Sequence, residues 1–506
     1  MNIWFWCSAS KPRGDRFHGS ISHLRQDVRW RAAPILAMLI TSGCSTGPEF
    51  RRPAPPPVTH YSEDQNVSGA MTSDQRLVIG GDVPSNWWEG FHVSSLNVMV
   101  ERALKENASI GAMTAALRRS AELEQAQRAS LLPTVSADVT VSRGNVASTG
   151  SNRLVSAGTS QLAYTPDFWG GLHRGVEAAK AQTDYQRFQL EAARLALSSA
   201  VVRYAIAAAS LARQIRAADQ ISSAAIEQLR IIQRRFDLGA VTADEVALQE
   251  LQVTQTKAAA QSLRLELAIT RNQLASYLGR PPEQADLPEI DFDSIALPET
   301  LPLSLPSTLI DRRPDIRAAE ANWHAQTAEL GVATALRLPS LTLGGTLGVQ
   351  GGSGKVLFGP GSAVWSLLVE VTQAIFDGGA LRHRQRAQRE AVAQAAELWR
   401  DQVVVAFQGV ADVLARIGSD TIALNLAIES EHAANRSLSI ASARYRSGAA
   451  PFLLLLTAQR SQADAVAQLI RAREARLTDC ALLYEALGGG WWHDRVDARS
   501  STETIR

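Results

Sequence analysis

A row of apolar residues in the first half of the chain constrains the fold more than any other feature. From Leu197 to Phe236 the positions spaced alternately four and three residues apart are apolar, with Ser222 as the polar exception. A seam sustained over this length is typical of a helix that packs against other helices in coiled-coil fashion. A helix over 172–234 would be about 95 Å long, at roughly 1.5 Å of rise per residue. The sequence therefore predicts a shaft and not a compact enzyme.

The chain also repeats its own landmarks, at spacings of 206–209 residues. The repeated pairs are Leu132-Pro133 and Leu338-Pro339, Phe168-Trp169-Gly170-Gly171 and Phe376-Asp377-Gly378-Gly379, Arg235-Phe236-x-x-Gly239 and Arg444-Tyr445-x-x-Gly448, and Leu278-Gly279 and Leu487-Gly488. Because the landmarks keep their order at nearly constant spacing, the chain is predicted to contain two copies of one structural unit.

Each predicted unit contains a shorter helix, a β-hairpin and a long helical hairpin. The hairpins are indicated by period-two alternation on both sides of a Gly- and Ser-rich stretch. The first repeat covers 96–279, with a helix over 96–131, a β-hairpin over 134–168 with strand candidates near 135–141 and 159–168, and a return helix over 243–278. The second covers 307–488, with a helix over 307–336, a β-hairpin over 340–376 with its second strand over 364–376, and a return helix over 452–487. The shorter helix of each unit is expected to stack end to end on the return helix and to complete a second shaft.

The first 43 residues are predicted to be an export signal. Arginines up to Arg31 precede the short apolar run 32–40 and then Cys44, a pattern typical of secretion and too short to span a bilayer. Translation is predicted to begin near Val28. A cysteine directly after a small residue resembles a bacterial lipobox, although Thr41 departs from the usual aliphatic residue. This resemblance implies diacylglycerol and palmitate on Cys44; the alternative is an ordinary signal with an incidental cysteine.

Composition excludes several other classes of protein. The formal charge is +1, without the basic excess of a nucleic-acid-binding domain. Three cysteines rule out a disulfide framework, and nothing in the sequence indicates a role for Cys480. His324, His383 and His432 are isolated on predicted helices without metal-ligand spacing, and we expect them to be solvated. We predict no enzyme activity, cofactor or metal, and no transmembrane helix, so any membrane-spanning segment would have to be a strand.

The sequence resembles the TolC-like outer membrane factors, specifically the NodT/OprM-type efflux lipoproteins. The matching stretches are Cys44-Ser45, Gly47-Pro48-Glu49-Phe50-Arg51-Arg52-Pro53, Trp87-Trp88, Leu132-Pro133-Thr134, Pro166-Asp167-Phe168-Trp169-Gly170, Arg312-Arg313-Pro314-Asp315-Ile316 and Phe376-Asp377-Gly378-Gly379. They run from Cys44 to about Leu487, which is nearly the whole mature chain.

The resemblance implies a homotrimer in the bacterial outer membrane. Its fold would be a mainly α, internally duplicated chain that contributes four strands to a twelve-stranded β-barrel, continued by a periplasmic α-helical barrel. The Pro-rich arm 44–95, the linker 280–306 and the tail 489–506 would form an equatorial belt. An inner-membrane pump of the RND type and a periplasmic adaptor would supply energy and substrate. Two alternatives stay open: the outer channel of a type I protein secretion system, or a periplasmic coiled-coil scaffold that is not a channel.

The resemblance also implies two functional regions at the far end of the helical hairpins. Adaptor docking is predicted at the turns formed by Gly239, Ala240, Val241, Thr242, Gly448, Ala449, Ala450 and Pro451. A periplasmic gate is predicted at Tyr445 and Arg446, and Thr457 stands where relatives often carry an aspartate. At the strand ends, Phe168, Trp169, Trp365 and Phe376 would suit an interfacial aromatic girdle, or would pack a small soluble sheet in the alternative.

Overall fold

The computed structural model describes residues 46–54, 56–58, 60–61, 75–146, 151–351 and 359–493. The predicted signal, the predicted lipidation site Cys44 and most of the tail 489–506 lie outside these residues. The helices of the described part are α1 (Ser94–Glu106), α2 (Ala108–Ala129), α3 (Gly171–Asp237), α4 (Ala243–Tyr277), α5 (Pro306–Arg312), α6 (Pro314–Ala335), α7 (Ala380–Arg446) and α8 (Phe452–Ala486). The strands are β1 (Arg76–Ile79), β2 (Thr134–Val146), β3 (Ser151–Tyr164), β4 (Thr300–Leu303), β5 (Ser340–Gly351) and β6 (Ala363–Thr372).

Two helices of 67 residues each, α3 and α7, form the long axes of the molecule. Along α3 the predicted seam is buried at positions such as Val201 and Ile232, while Phe236 at its lower end stays 45% exposed. A second row on a neighbouring face of α3, with Val202 and Ile206, is also buried. One 18-residue window of α3 is apolar enough to cross a membrane by length and composition alone, but 61% of it is buried. Its apolar side chains face other helices, as in a protein core.

The shorter helices stack end to end on the return helices. At the first junction the Asn107 side chain accepts hydrogen bonds from the first turn of α2 and donates one to the Tyr277 carbonyl at the end of α4, at 2.9 Å. Gly279 follows with φ +74°, and a Cβ there would lie 2.6 Å from the Glu106 carbonyl oxygen. Two composite columns therefore run beside the long helices, α2 on α4 and α6 on α8.

The second junction repeats this arrangement. Arg313 donates to the Ala486 carbonyl at 3.1 Å, and a Cβ on Gly488 would lie 2.5 Å from the Arg312 carbonyl oxygen. Both predicted short helices are in fact broken: 96–131 at the cap residue Asn107, and 307–336 before Pro314. Proline disfavours helical backbone in the preceding residue, and the side chain of Asn107 competes with the helix for the following N–H groups.

The upper end of the molecule is a four-stranded antiparallel sheet in the order β2-β3-β5-β6. Strands β3 and β5 pair across the two repeats, with Tyr164 opposite Leu343. The strands of the first hairpin cover 134–164, and β3 begins at Ser151, in the stretch predicted to be loop. The strands of the second hairpin end at Thr372 instead of residue 376. The stretch 151–158 combines Ser, Asn and Gly with Leu154 and Val155, and residues of the first kind occur in strands as well as in loops, so composition misplaced this boundary.

Near the middle of the shaft, the segments outside the two repeats pack against the helices. Strand β1 from the N-terminal arm pairs in parallel with β4 from the linker. The arm also contributes Trp87 and Phe91, which are almost fully buried in the main core. From the C-terminal end, the Trp491 indole donates to the Arg312 carbonyl at 2.6 Å.

Candidate channel ends and gate

The two helical hairpins turn at Gly239 and Gly448, which have φ of +70° and +73°. An added Cβ would meet no atom within 4 Å at either position, so glycine is favoured here by backbone conformation and not by space. Thr242 occupies the N-cap position of α4, and its side chain makes no capping hydrogen bond. Pro451 precedes the first residue of α8.

The predicted docking residues lie together on these two neighbouring turns. Ala240 and Ala449 are exposed, and Val241 and Ala450 are half-buried. Behind them a small apolar cluster joins the two hairpins; its buried members are Ile232, Phe452, Leu455 and Leu456. The turns therefore present a mostly small, uncharged surface on a packed base.

Tyr445, at the end of α7, is the predicted gate residue that the structure places between the hairpins. Its hydroxyl donates to Glu245 Oε2 at 3.1 Å and accepts from Arg235 Nη1 at 3.2 Å. Its ring packs on Phe452, with centroids 5.5 Å apart, and lies 5.4 Å from the Arg235 guanidinium carbon. Burial and the neighbouring Glu245 carboxylate raise the pKa of Tyr445, so its hydroxyl keeps its proton at neutral pH. The tyrosine thus links α7 to both helices of the first hairpin.

The other two predicted gate residues do not join this contact. Arg446 is exposed, and its Nε donates to the Ser442 carbonyl of its own helix at 3.2 Å. Thr457 is also exposed, and its hydroxyl donates to the Leu453 carbonyl at 2.8 Å. Neither side chain connects one helix to another among the described residues.

A second link between the hairpins was not predicted from the sequence. Arg460, one turn beyond Thr457, donates to Gln252 Oε1 at 2.8 Å and to Gln255 Oε1 at 3.1 Å. An arginine close to the second tip was the available signal, but its partners lie about two hundred residues earlier in the chain. Pattern reasoning along one helix does not show such a partner.

At the opposite end of the shaft, the first described residues of the arm are fixed where strands give way to helices. The Thr46 N–H and hydroxyl both donate to the Trp169 carbonyl, at 3.0 and 2.9 Å. Gly47, with φ +86°, packs closely on Gly331: a Cβ added to Gly47 would lie 2.7 Å from the Cα of Gly331. This contact places the arm against α6 and the start of α3.

Further along the arm, Phe50 stacks on His324 with ring centroids 4.5 Å apart. The imidazole of His324 is within 2.7 Å of Glu177 on α3. The expectation that His324 is solvated is therefore wrong: Phe50 of the arm covers one face of the imidazole, and Glu177 contacts its Nε2 atom. The neighbouring groups His324 and Arg174 hold the pKa of Glu177 below its usual range, although partial burial opposes them.

Aromatic and aliphatic side chains of the sheet and its lower rim are exposed on the isolated chain. Trp365 is 75% exposed and Phe376 90% exposed, whereas Phe168 and Trp169 are partly covered.

Within the part of the chain that the structure describes, no group of three or more His, Cys, Asp or Glu side chains is placed to hold a metal ion.

The chain belongs to a family of outer membrane efflux proteins. The model for the family described as "Outer membrane efflux protein" matches residues 99–280 and 305–489, which correspond closely to the two repeats. The resemblance to the NodT/OprM-type outer membrane factors is thereby confirmed, as is the mainly helical class with a small β part.

Individual relatives cover most of the chain. Pyoverdine export outer membrane protein OpmQ of Pseudomonas aeruginosa is 30% identical over 421 residues, which is 81% of this chain and 88% of that protein. Nodulation protein T of Rhizobium leguminosarum bv. trifolii is 28% identical over 462 residues, 90% of this chain and 96% of that protein. Among solved structures, the outer-membrane channel OprN is 26% identical with a TM-score of 0.80, over 88% of this chain and all of that one.

Proposed function

We propose that this protein is the passive exit duct of a tripartite efflux system. Three copies form a channel through the outer membrane and the periplasm, and an inner-membrane pump of the RND type delivers substrates through a periplasmic adaptor. Named relatives support the export role: OpmQ is a pyoverdine export protein, and TtgC is a probable efflux pump outer membrane protein. The channel itself has no catalytic role.

The observation that carries this proposal is the sheet at the upper end of the shaft. It has four strands, with β2 and β6 at its edges. Unpaired backbone edges are not tolerated in lipid, and membrane barrels have at least about eight strands. A single chain therefore cannot close a barrel, whereas three copies would supply twelve strands by pairing β6 of one copy with β2 of the next. The exposed Trp365 and Phe376 suit the lipid interface of such a barrel.

The shaft has the dimensions of a periplasmic duct. Each long helix has 67 residues, which corresponds to about 100 Å at ~1.5 Å per residue. The composite columns run beside α3 and α7, so each copy supplies helices along the whole length of the shaft. In three copies these helices would enclose a lumen.

The position of the arm supports lipid anchoring at Cys44. Thr46 is bonded to the Trp169 carbonyl at the root of the sheet. Residues two apart in sequence are at most about 7 Å apart, since each residue spans up to roughly 3.6 Å. A diacylglycerol and a palmitoyl chain on Cys44 would therefore enter the membrane at the level where the strands enter it. Ser45 after the cysteine agrees with sorting to the outer membrane.

The tips of the hairpins are proposed to receive the adaptor and to act as the gate. The turns at 239–242 and 448–451 end the molecule on the side away from the sheet, where a partner from the inner membrane would arrive. The bonds of Tyr445 to Glu245 and Arg235 would hold the two hairpins of each copy together in the closed state. Adaptor binding would open the tip by breaking them.

A type I protein secretion channel is the second candidate function. The named export and efflux relatives favour the first, because they transport small molecules. A periplasmic scaffold is disfavoured by the sheet, whose apolar residues such as Leu367 are exposed on both faces.

The proposal is tested by deleting the gene and measuring accumulation of a fluorescent pump substrate such as ethidium. We expect accumulation to rise in the deletion strain and to return to normal with the wild-type gene. A Cys44→Ala variant with an ordinary cleavable signal separates anchoring from transport. Normal dye accumulation in the deletion strain, with its pump and adaptor genes expressed and no second channel gene present, would refute the efflux function.

A further inference from the structure

The long helix α7 has neighbours on one side only, whereas its counterpart α3 has neighbours on two. Helix α3 packs against α2 and α4 of its own repeat and also against α6 and α8 of the other repeat. Helix α7 packs against α6 and α8; apart from the bond of Tyr445 to Glu245 at the tip, the described residues show no comparable contact of α7 with α2 or α4. Since the repeats are equivalent, the uncovered side of α7 corresponds to the side of α3 that meets the second repeat.

The register of that internal contact can be read from the structure. Helices α3 and α6 run antiparallel: a Cβ on Gly171 would lie 2.6 Å from the Cβ of Ala335, and Phe188 belongs to one buried cluster with Ala318. Equal steps between these two contacts place Ala181 opposite Ala325. These alanines are 2% and 4% exposed, so at this level the seam inside the chain is made of small apolar residues.

Because the two repeats are equivalent, the same register can be applied to the uncovered side of α7. Helices α3 and α7 have equal lengths of 67 residues, and α2 and α6 have equal lengths of 22, so positions correspond one to one. Glu390 on α7 takes the place of Ala181, and Arg119 on α2 takes the place of Ala325. The internal contact is made by two alanines. At the equivalent positions on its two outer sides, the chain therefore has an acidic residue on α7 and a basic residue on α2.

The charges around this pair are complementary. Helix α2 carries Arg118 and Arg119 with Glu122 one turn on, and α7 carries Arg386 with Glu390 one turn on. All five are exposed, and none forms an ion pair with another described residue. When two helices with arginine four residues before glutamate meet antiparallel, each arginine lies beside the glutamate of the other helix. Helix α7 of one copy and α2 of a second copy meet this condition.

We propose that the charged face of α7 binds α2 of a second copy, with Arg386 against Glu122 and Glu390 against Arg118 and Arg119 of that copy. This inference rests on the proposed trimeric channel and assigns the residues that join its copies below the sheet. The two seams of the shaft then differ in chemistry. At the level of Ala181 and Ala325 the seam within a chain is apolar, whereas the corresponding level of the seam between chains is electrostatic and screened by salt.

The register is tested by cysteine cross-linking of the full-length protein extracted from membranes. A variant with both Arg119→Cys and Glu390→Cys should form disulfides between copies on mild oxidation, because the proposed register places these two positions opposite each other and a disulfide requires Cβ atoms about 4 Å apart. The matched internal control, Ala181→Cys with Ala325→Cys, should cross-link without a gain in mass. Arg119→Cys with Arg389→Cys, which moves one cysteine to a different side of α7, should not cross-link. The buried Cys480 does not compete.

The charges are tested separately by reversal. Arg386→Glu or Glu122→Arg alone should shift the trimer-to-monomer midpoint in a detergent titration to milder conditions, and the double variant should recover at least half of that shift. Arg389→Glu makes the same charge change on the same helix and should leave the midpoint unchanged.

The outcomes separate this inference from the proposed function. If wild-type particles are trimeric and the internal control cross-links, but the Arg119–Glu390 pair does not, the seam is wrong and the trimeric channel stands. If the reversed pair shows no recovery while the disulfide forms, the register stands and the charge pairing is overturned. If the wild-type protein is not trimeric, the proposed channel fails and the seam fails with it.

Discussion

Removal of the Tyr445 hydroxyl tests whether the contact between the hairpins acts as a gate. In Tyr445→Phe the ring contacts with Phe452 and Arg235 remain possible, while the hydrogen bonds to Glu245 at 3.1 Å and from Arg235 at 3.2 Å are lost. Hydrogen bonds to charged groups contribute about 1.5–3 kcal/mol when well buried. Tyr445 is only half-buried, so solvent screening reduces the expected loss to about 1 kcal/mol per copy.

This loss should be visible as a larger fraction of time in the open state. About 1 kcal/mol corresponds to roughly a fivefold change in an equilibrium constant, and three such contacts that open together to roughly a hundredfold change. Single-channel recording in planar bilayers measures the open fraction directly. We expect the fraction to rise in Tyr445→Phe and in Glu245→Gln.

Arg446→Ala and Thr457→Val are the matched controls, because their side chains bond only to carbonyls of their own helices. We expect both to behave as the wild type. If Tyr445→Phe and Glu245→Gln insert normally and open no more often than the wild type, the contact is structural and the gate lies elsewhere.

Three further predictions concern the shaft. Asn107→Ala removes both the cap of α2 and the link to Tyr277, and should destabilise the protein by about 1–2 kcal/mol, measured as a lower urea midpoint; an unchanged midpoint would contradict the stacked junction. Burial raises the pKa of the Cys480 thiol, so Ellman's reagent should label it only after denaturation, and rapid labelling of the native protein would refute its burial. Burial and the neighbouring Asp420 raise the pKa of Asp479 to about 7, so the folded state holds this proton more tightly than the unfolded state does. The contribution of the protonated Asp479 to stability is complete below about pH 4 and is lost as the pH rises through 7. Asp479→Asn should flatten the dependence of the thermal midpoint on pH between 5 and 8, and an identical slope in both proteins would contradict this assignment.

The elements with a strong internal period were predictable from the sequence. The heptad spacing from Leu197 to Phe236 depends on repeated local packing, so it indicates a long helix without knowledge of its partners. The duplication then placed the second set of elements by analogy with the first. Glycines 239 and 448 marked the turns because few other residues adopt positive φ.

Several of the misses depend on contacts between distant parts of the chain. At Asn107 the side chain that caps α2 also donates to the Tyr277 carbonyl, which is 170 residues away. His324 was expected to be solvated, but Phe50 from the arm covers it. For the candidate gate, the sequence indicated Tyr445 by its place before the glycine turn, but not its partners Glu245 and Arg235. The boundary of β3 was misplaced for a local reason: the Ser, Asn and Gly of 151–158 indicated a loop although Leu154 and Val155 lie among them.

The central claim, a threefold channel with a long periplasmic shaft, is tested most directly by negative-stain electron microscopy of the protein extracted from membranes in mild detergent. Two 67-residue helices per copy predict a threefold particle with a narrow shaft of about 100 Å on a short cap covered by detergent. A monomer that needs no detergent, or an elongated rod without a cap, would contradict the channel and would favour the coiled-coil scaffold.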